Sequence, residues 1–187
     1  MSGTTRMAGV ERILGGDGDD VIDLTSPDYA ANNIQLFGDQ GNDILWGSDG
    51  NDLIDGGSGQ DSMAGGLGED IFVARLGQGA TSYAQADVIK DFNIGADKIS
   101  LAGGLTFESL EFDYSNDFGG IFVSDGNENH YVLLEGLVSS QVSELTSSSF
   151  QSHDLDDEID GIKKELELIN IPSNEDFSEC EIYYNLI

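Results

Sequence analysis

The sequence predicts an all-β chain: nonapeptide repeats wound into a parallel β-roll, antiparallel strands that cap it, and a C-terminal helical tail. Three observations carry that expectation. Glycine and aspartate recur on a nine-residue beat up to Val73, with one large apolar residue per beat. The formal charge is −29, and no lysine or arginine stands between Arg12 and Arg75. After residue 73 the beat stops, strand-like alternation continues, and a helical apolar stripe follows near the end.

Composition bounds the function. At 187 residues and 39% hydrophobic, the chain can bury a core as one or two small domains. Its acidic excess repels nucleic acid and anionic membranes and attracts cations. A disordered acidic chain would carry similar charge. Twenty-five glycines against two prolines, with regularly placed Ile, Leu, Val and Phe, argue instead for ordered repetition. No apolar run reaches about 18 residues, so no membrane insertion is expected. The N-terminal MSGTTRMAGVER lacks the apolar core of a cleavable signal peptide. Cys180 is the single cysteine, which rules out an internal disulfide.

After a lead-in over 1–12, the roll is expected over 13–73. Five segments align on their glycines: GGDGDDVID (15–23), GDQGNDILW (38–46), GSDGNDLID (47–55), GGSGQDSMA (56–64) and GGLGEDIFV (65–73). Their shared form is G-G/x-x-G-x-D-x-U-x, with U large and apolar. Glycine at the first and fourth positions permits positive φ and close approach of a neighbouring turn. The eighth position points inward from a three-residue strand, and the seventh and ninth point away. Nine residues of loop and strand make half a turn, so stacked repeats give two thin sheets around one narrow core.

The sixth-position aspartates then fall in columns. Stacked carboxylates without counter-ions repel each other. Oxygen ligands from two adjacent turns, with freed backbone carbonyls, form a cage of about six oxygens at ~2.3–2.6 Å, which suits Ca²⁺ better than the smaller, stricter Mg²⁺. The candidate metal-site residues are Gly15, Asp17, Gly18 and Asp20; Gly38, Gly41 and Asp43; Gly47, Asp49, Gly50 and Asp52; Gly56, Gly59 and Asp61; and Gly65, Gly68 and Asp70.

Residues 24–37, LTSPDYAANNIQLF, interrupt the beat. Leu36, like Ile13 earlier, takes the inward role, and 24–34 reads as an enlarged loop that replaces one repeat loop. Loops 15–20, 38–43 and 56–61 then stack on one side, and 47–52 and 65–70 on the other. About three complete calcium sites follow: 15–20 with 38–43, 38–43 with 56–61, and 47–52 with 65–70. Asp28 or Asp87 would supply partial end sites, although Asp28 reads better as a turn residue after Pro27.

These five segments resemble the RTX (repeats-in-toxin) calcium-binding family, and the resemblance implies a β-roll with Ca²⁺ held between turns. Further on, ADVIKDFNIGADKISL resembles the run that follows the last repeat in serralysin-type secreted proteins. It places Asp87, Ile89, Asp91, Phe92, Gly95, Asp97, Lys98, Ile99 and Leu101 in that pattern. The resemblance implies a cap on the roll over 74–150. Val88, Ile89 and Phe92 are expected on the roll's open end. LEFDYSND, GGIFVSDG and HYVLLEG read as antiparallel strands with Asn/Gly turns, and LVSSQVSELTSSSF looks like the family's last turn.

Residues 151–187 depart from that pattern. Leu155, Ile159, Ile162, Leu166 and Ile169 lie at 4-3-4-3 spacing, an amphipathic helix stripe with acids in its first turn. The acidic and then apolar end resembles the uncleaved export signals of type I secretion substrates. A helix that packs on its own domain or on a partner is the plainer reading.

Catalytic chemistry is not found. A zinc protease needs H-E-x-x-H; the only histidines are His130 and His153, without partners at that spacing. Cys180 has no base near it in sequence. No phosphate loop, dinucleotide fingerprint or G-x-S-x-G occurs. Trp46 occupies a ninth, outward position and fits either a surface contact or packing under the 24–34 loop. The expected function is a calcium-binding module, not an enzyme, that folds on Ca²⁺ after export by a type I secretion apparatus. It would serve as the secretion and folding part of an extracellular bacterial protein. A small adhesion or surface-binding protein is the alternative, and a fragment of a secreted hydrolase is less favoured. The sequence leaves the oligomeric state open.

Overall fold

The structure, a computed structural model, describes residues 10, 12–25 and 33–152. The chain divides into two units, Met1–Asp154 and Leu155–Ile187, and the fold below is that of the first. The expected helix stripe, Asp28, His153 and Cys180 lie outside the described residues.

Strands follow each repeat. They are β1 (Arg12–Asp17), β2 (Val21–Asp23), β3 (Gln35–Gln40), β4 (Ile44–Trp46), β5 (Leu53–Asp55), β6 (Ser62–Ala64) and β7 (Ile71–Arg75). Beyond the repeats come β8 (Asp87–Ile89), β9 (Lys98–Ala102), β10 (Leu110–Ser115), β11 (Gly120–Asp125), β12 (His130–Glu135) and β13 (Phe150–Ser152). One sheet has the order β1-β3-β5-β7-β9-β13, and the other β10-β11-β12-β8-β6-β4-β2. Consecutive strands of the roll therefore alternate between sheets, and every pairing inside it is parallel.

Register follows the inward column. In the first sheet Ile13 pairs with Leu36, Leu36 with Ile54, Ile54 with Phe72, and Phe72 with Ile99. In the second, Ile22 pairs with Leu45, Leu45 with Met63, and Met63 with Ile89. Leu36, Leu45, Ile54, Met63, Phe72, Ile89 and Ile99 are all 1% exposed or less. A one-residue slip would turn each of them to the outside, so burial itself fixes the register. The column keeps its register across the insertion, with Ile13 paired to Leu36 and Ile22 to Leu45.

The outward positions are less uniform than alternation predicts. Val21 is 69% exposed, but Phe37, Asp55 and Val73 are buried. The Arg12 guanidinium lies 5.1 Å from the Phe37 ring centre, and Arg75 pairs with Asp55 at 2.8 Å. These two arginines, which flank the cation-free stretch, cover the outer face of the first sheet. Trp46 is partly buried, and its indole Nε1 is buried with no hydrogen-bond partner among the described residues.

Both sheets run on past residue 73. β8 and β9 extend them, and β10, β11 and β12 form an antiparallel meander that joins β8 in parallel. Ile89 and Phe92 enter the core, where Phe92 packs on Phe72 with ring centres 6.2 Å apart. Val88 does not close the roll's end as expected; it alternates outward and packs against Ala86, Phe122 and Leu133. Tyr83 shields that outer cluster, 4.5 Å from Phe122 and stacked 3.8 Å over His130. His130 Nδ1 lies 2.8 Å from the Ser124 hydroxyl in the same buried layer. The segment LVSSQVSELTSSSF forms 3-10 turns over Ser139–Glu144 and Ser147–Ser149 and leads into β13, which returns beside β9.

Leu45→Ala removes a fully buried side chain from this narrow core and should cost about 2–5 kcal/mol. Leu14→Ala, at a position 62% exposed, should change stability by less than about 0.5 kcal/mol. Urea denaturation of both variants under one set of conditions checks the difference; equal effects would mean that the inward column is misassigned.

Candidate metal centre

Every sixth-position carboxylate after Asp20 is held by the turn before it. The Asp20 N–H donates to Asp43 Oδ1 at 2.8 Å, the Asp43 N–H to Asp61 Oδ1 at 2.8 Å, and the Asp61 N–H to Asp87 Oδ1 at 2.9 Å. On the other side the Ile34 N–H donates to Asp52 Oδ1 at 2.7 Å, the Asp52 N–H to Asp70 Oδ1 at 2.9 Å, and the Asp70 N–H to Asp97 Oδ1 at 3.1 Å. Two carboxylate ladders result, and they end in Asp87 and Asp97. Asp91 adds an end contact by accepting from the Gly65 and Gly66 N–H groups at 3.0 and 2.9 Å.

The second carboxylate oxygens have a different fate. The Oδ2 atoms of Asp20, Asp43 and Asp61 are buried, with no hydrogen-bond partner among the described residues. A buried, unsatisfied carboxylate oxygen is costly unless a charge partner meets it. The gap beside each is kept open by the first glycine of its repeat. A Cβ on Gly15 would lie 2.9 Å from both Asp20 Oδ2 and the Gly38 carbonyl oxygen. A Cβ on Gly38 would strike Asp43 Oδ2 and the Gly56 carbonyl. One on Gly47 would come 2.7 Å from Asp52 Oδ2 and strike the Gly65 carbonyl.

The first glycine is therefore required for space, not for positive φ as its sequence position suggests. Left-handed backbone falls instead on the second and fourth positions of four repeats, all but 47–55, as at Gly57 and Gly59 with φ of 96° and 135°. A Cβ on Gly59 would also strike the Gly41 carbonyl of the turn before.

The other sequence candidates separate by position. The sixth-position acids Asp43, Asp52, Asp61 and Asp70 are each 1% exposed. The third-position acids Asp17 and Asp49 are exposed, and Asp17 Oδ1 accepts from Gln40 Nε2 at 2.6 Å. A fifth-position amide ladder runs outside the acids, with the Asn51 N–H donating to Asn33 Oδ1 and the Glu69 N–H to Asn51 Oδ1. Asp97 and Asp91 were not among the metal candidates from sequence. Their signal was the serralysin-like run, in which they occupy matched positions.

Burial and neighbouring carboxylates push these acids up. Burial first, then the nearby charges of Asp43 and Asp55, raises Asp61 to about 6. Asp70 rises to about 7, with Asp97, Asp52 and Asp91 adding to burial. Asp87 rises to about 8, through burial and then Asp61 and Asp55. Asp43 and Asp97 move the same way, with burial as the largest cause. Backbone N–H donors offset part of each rise.

Among the described residues, no three Asp, Glu, His or Cys side chains converge on one point. A cation shell between turns must therefore combine a carboxylate with backbone carbonyls. An all-oxygen set with unsatisfied carboxylate atoms fits a hard ion such as Ca²⁺, and it lacks the nitrogen and sulfur ligands favoured by zinc.

Alternating parallel strands, carboxylate ladders on both sides and glycine-made gaps define a parallel β-roll repeat protein. Residues 7–24 and 37–72 match the RTX calcium-binding nonapeptide repeat, in four copies. A comparison with curated proteins gives no match. Among solved structures, the AlgE6R3 subunit of the Azotobacter vinelandii mannuronan C5-epimerase is similar with TM-score 0.57 and 26% identity, over 79% of this chain and 86% of that one. The AlgE6R2 subunit of the same enzyme shares the fold at TM-score 0.52 and 23% identity, over 78% of this chain and 93% of that one. The extracellular lipase LipA of Serratia marcescens does so at TM-score 0.52 and 24% identity, over 74% of this chain but only 20% of the lipase.

The raised acids set a direction for pH. A metal-free roll holds protons on Asp61, Asp70 and Asp87 that the unfolded chain releases near 3.8. Stability from these groups is full below about pH 4 and is lost as pH rises through about 6 to 8. By circular dichroism, chelated protein should thus hold more β signal at pH 5 than at pH 8, where it is largely disordered. Calcium competes with the same protons, so its affinity should rise over that interval. A chelated chain more stable at pH 8 would contradict the ladder's electrostatics.

Proposed function

We propose that this chain is a calcium-binding module that folds on Ca²⁺ after type I secretion and serves as the secretion and folding part of an extracellular bacterial protein. The observation that carries it is the set of buried Oδ2 atoms on Asp20, Asp43 and Asp61, unpartnered among the described residues and beside glycine-made gaps. Bound calcium supplies the positive charge that lets these carboxylates stay ionised while buried. Asp43 and Asp61 anchor the turn before them through Oδ1, all three present Oδ2 to a gap, and beside Asp20 and Asp43 the carbonyls of Gly38 and Gly56 face the same gap. Where calcium is scarce, mutual repulsion among the acids favours the unfolded chain; where it is abundant, binding free energy becomes folding free energy.

The reading assigns three complete sites, between 15–20 and 38–43, between 38–43 and 56–61, and between 47–52 and 65–70, with Asp87 at a partial end site. It divides the chain into the roll (13–73), the β cap (74–150) and a tail (151–187) that carries export, and it gives the described unit no catalytic role. That the RTX match is of the calcium-binding type supports the metal, and the extracellular lipase among the similar structures supports export. A surface-binding role is favoured by one feature, the half-exposed ring pair of Tyr83 and Phe118 on the outer face of the cap; a glycan array on calcium-loaded protein tests it.

Circular dichroism should show a largely disordered chain in chelator and gain of β signal in mM Ca²⁺. An unchanged spectrum and melting temperature would remove calcium as the structural agent. Asp43, placed between two gaps, should matter more than Asp28: Asp43→Ala should lose more bound calcium in calorimetric titration, and Asp28→Ala should be nearly silent.

The tail is tested by truncation after Ser152. Cutting at Phe150 would remove most of β13 and expose a ring cluster in which Phe150 packs on Phe107 and Phe112 at 5.2 and 5.5 Å. The shortened chain should keep its calcium-induced folding midpoint and stay inside a host with a matching type I exporter. Export equal to that of the full chain would place the signal elsewhere.

A further inference from the structure

The two ladders differ in how Asp43 and Asp52 are held. Asp43 and Asp61 are 1% exposed, and their Oδ2 atoms are unpartnered among the described residues. Asp52 is equally buried, but its Oδ2 accepts the Ser48 N–H at 2.6 Å and the Ser48 hydroxyl at 2.9 Å. The same hydroxyl oxygen accepts the Gly50 N–H at 3.2 Å. In the other four repeat loops the second position is left-handed, with φ of 101°, 73°, 96° and 98° at Gly16, Asp39, Gly57 and Gly66; Ser48 does not share that conformation. Ser48 has thus folded its loop onto its own carboxylate.

We propose that Ser48 makes the gap between 47–52 and 65–70 the weakest of the three complete calcium sites, filled only after the gaps flanking Asp43. This inference rests on the calcium reading above. A cation meeting Asp43 Oδ2 displaces no protein donor. A cation meeting Asp52 Oδ2 must displace two, one of them a backbone N–H, and must reopen the loop. Two net hydrogen bonds correspond to roughly a tenfold or greater loss of affinity. The roll then has two calcium thresholds: the ladder of Asp20, Asp43 and Asp61 responds first, and the ladder of Asp52 and Asp70 second. Trp46, the single tryptophan, ends β4 directly before Gly47 and reports on the second ladder.

The full chain is titrated with calcium chloride from the chelated state, by calorimetry and by Trp46 emission. Wild type should give a tight class and a weak class, with the emission change in the weak one. Asp52→Asn should remove the weak class alone. Ser48→Gly removes the hydroxyl and permits the left-handed backbone that turns the N–H away, so it should shift the weak class to roughly tenfold lower calcium; Ser48→Ala removes only the hydroxyl and should shift it less. One class in wild type, or a weak class unmoved in both Ser48 variants, overturns the inference and leaves calcium binding standing. No calcium binding at all overturns both. If Ser48→Gly does not fold, the Ser48→Ala shift and the Asp52→Asn loss decide the matter.

Discussion

A single hydrogen bond, repeated down both sides of the roll, governs the rest of the molecule: a backbone N–H donated to the carboxylate of the following turn. It sets the spacing of the turns, because Asp43 and Asp61 sit 18 residues apart and Asp52 and Asp70 likewise. It also commits each carboxylate to the interior, since the oxygen that accepts this bond must lie between turns. Once it is there, the other oxygen is cut off from water. Order in the backbone and demand for a cation therefore come from the same atoms.

The apolar column is the complement of that arrangement. A three-residue strand offers one inward side chain, so a single coil buries only two, such as Leu45 and Ile54. No coil can hold itself together on that burial. Stacking supplies the continuity, as in repeat proteins generally, where each unit contacts only its neighbours. The ends then need special treatment. At the C-terminal end the same chemistry is carried on without the nonapeptide, with Asp87 and Asp97 closing the ladders and Ile89 and Ile99 closing the core. The antiparallel meander supplies the two-sided burial that a coil cannot, with β11 and most of β12 buried on both faces.

Much of this was legible before any coordinates. The columns at positions six and eight, the stacking of 15–20 with 38–43 and 56–61, and the bypass of the insertion all follow from residue spacing. What spacing could not show is how a given loop closes. The nonapeptide treats Ser48 and Gly57 as the same position, but a hydroxyl can turn back on a carboxylate and a glycine cannot. Nor does it separate a glycine needed for its φ from one needed for its missing Cβ, since the sequence writes both alike. Val88 was misplaced because one residue of alternation reverses inside and outside, and the run around it has apolar residues on both. Asp97 was visible only as part of a resemblance, because its separation from Asp70 is 27 residues and not 18.

Alternation between sheets has a consequence for how such a chain can change length. Adjacent strands within one sheet come from alternate repeats, and each ladder is likewise built from every second loop. Loss of nine residues would leave every motif intact, yet it would send all later strands to the opposite sheet. Asp87 would then meet the ladder that Asp97 now closes, and the meander would dock on the wrong face. Loss or gain of 18 residues removes or adds one loop on each side and preserves every later partnership. The coil, not the repeat, is the quantum in which this architecture can lengthen, shorten or be recombined.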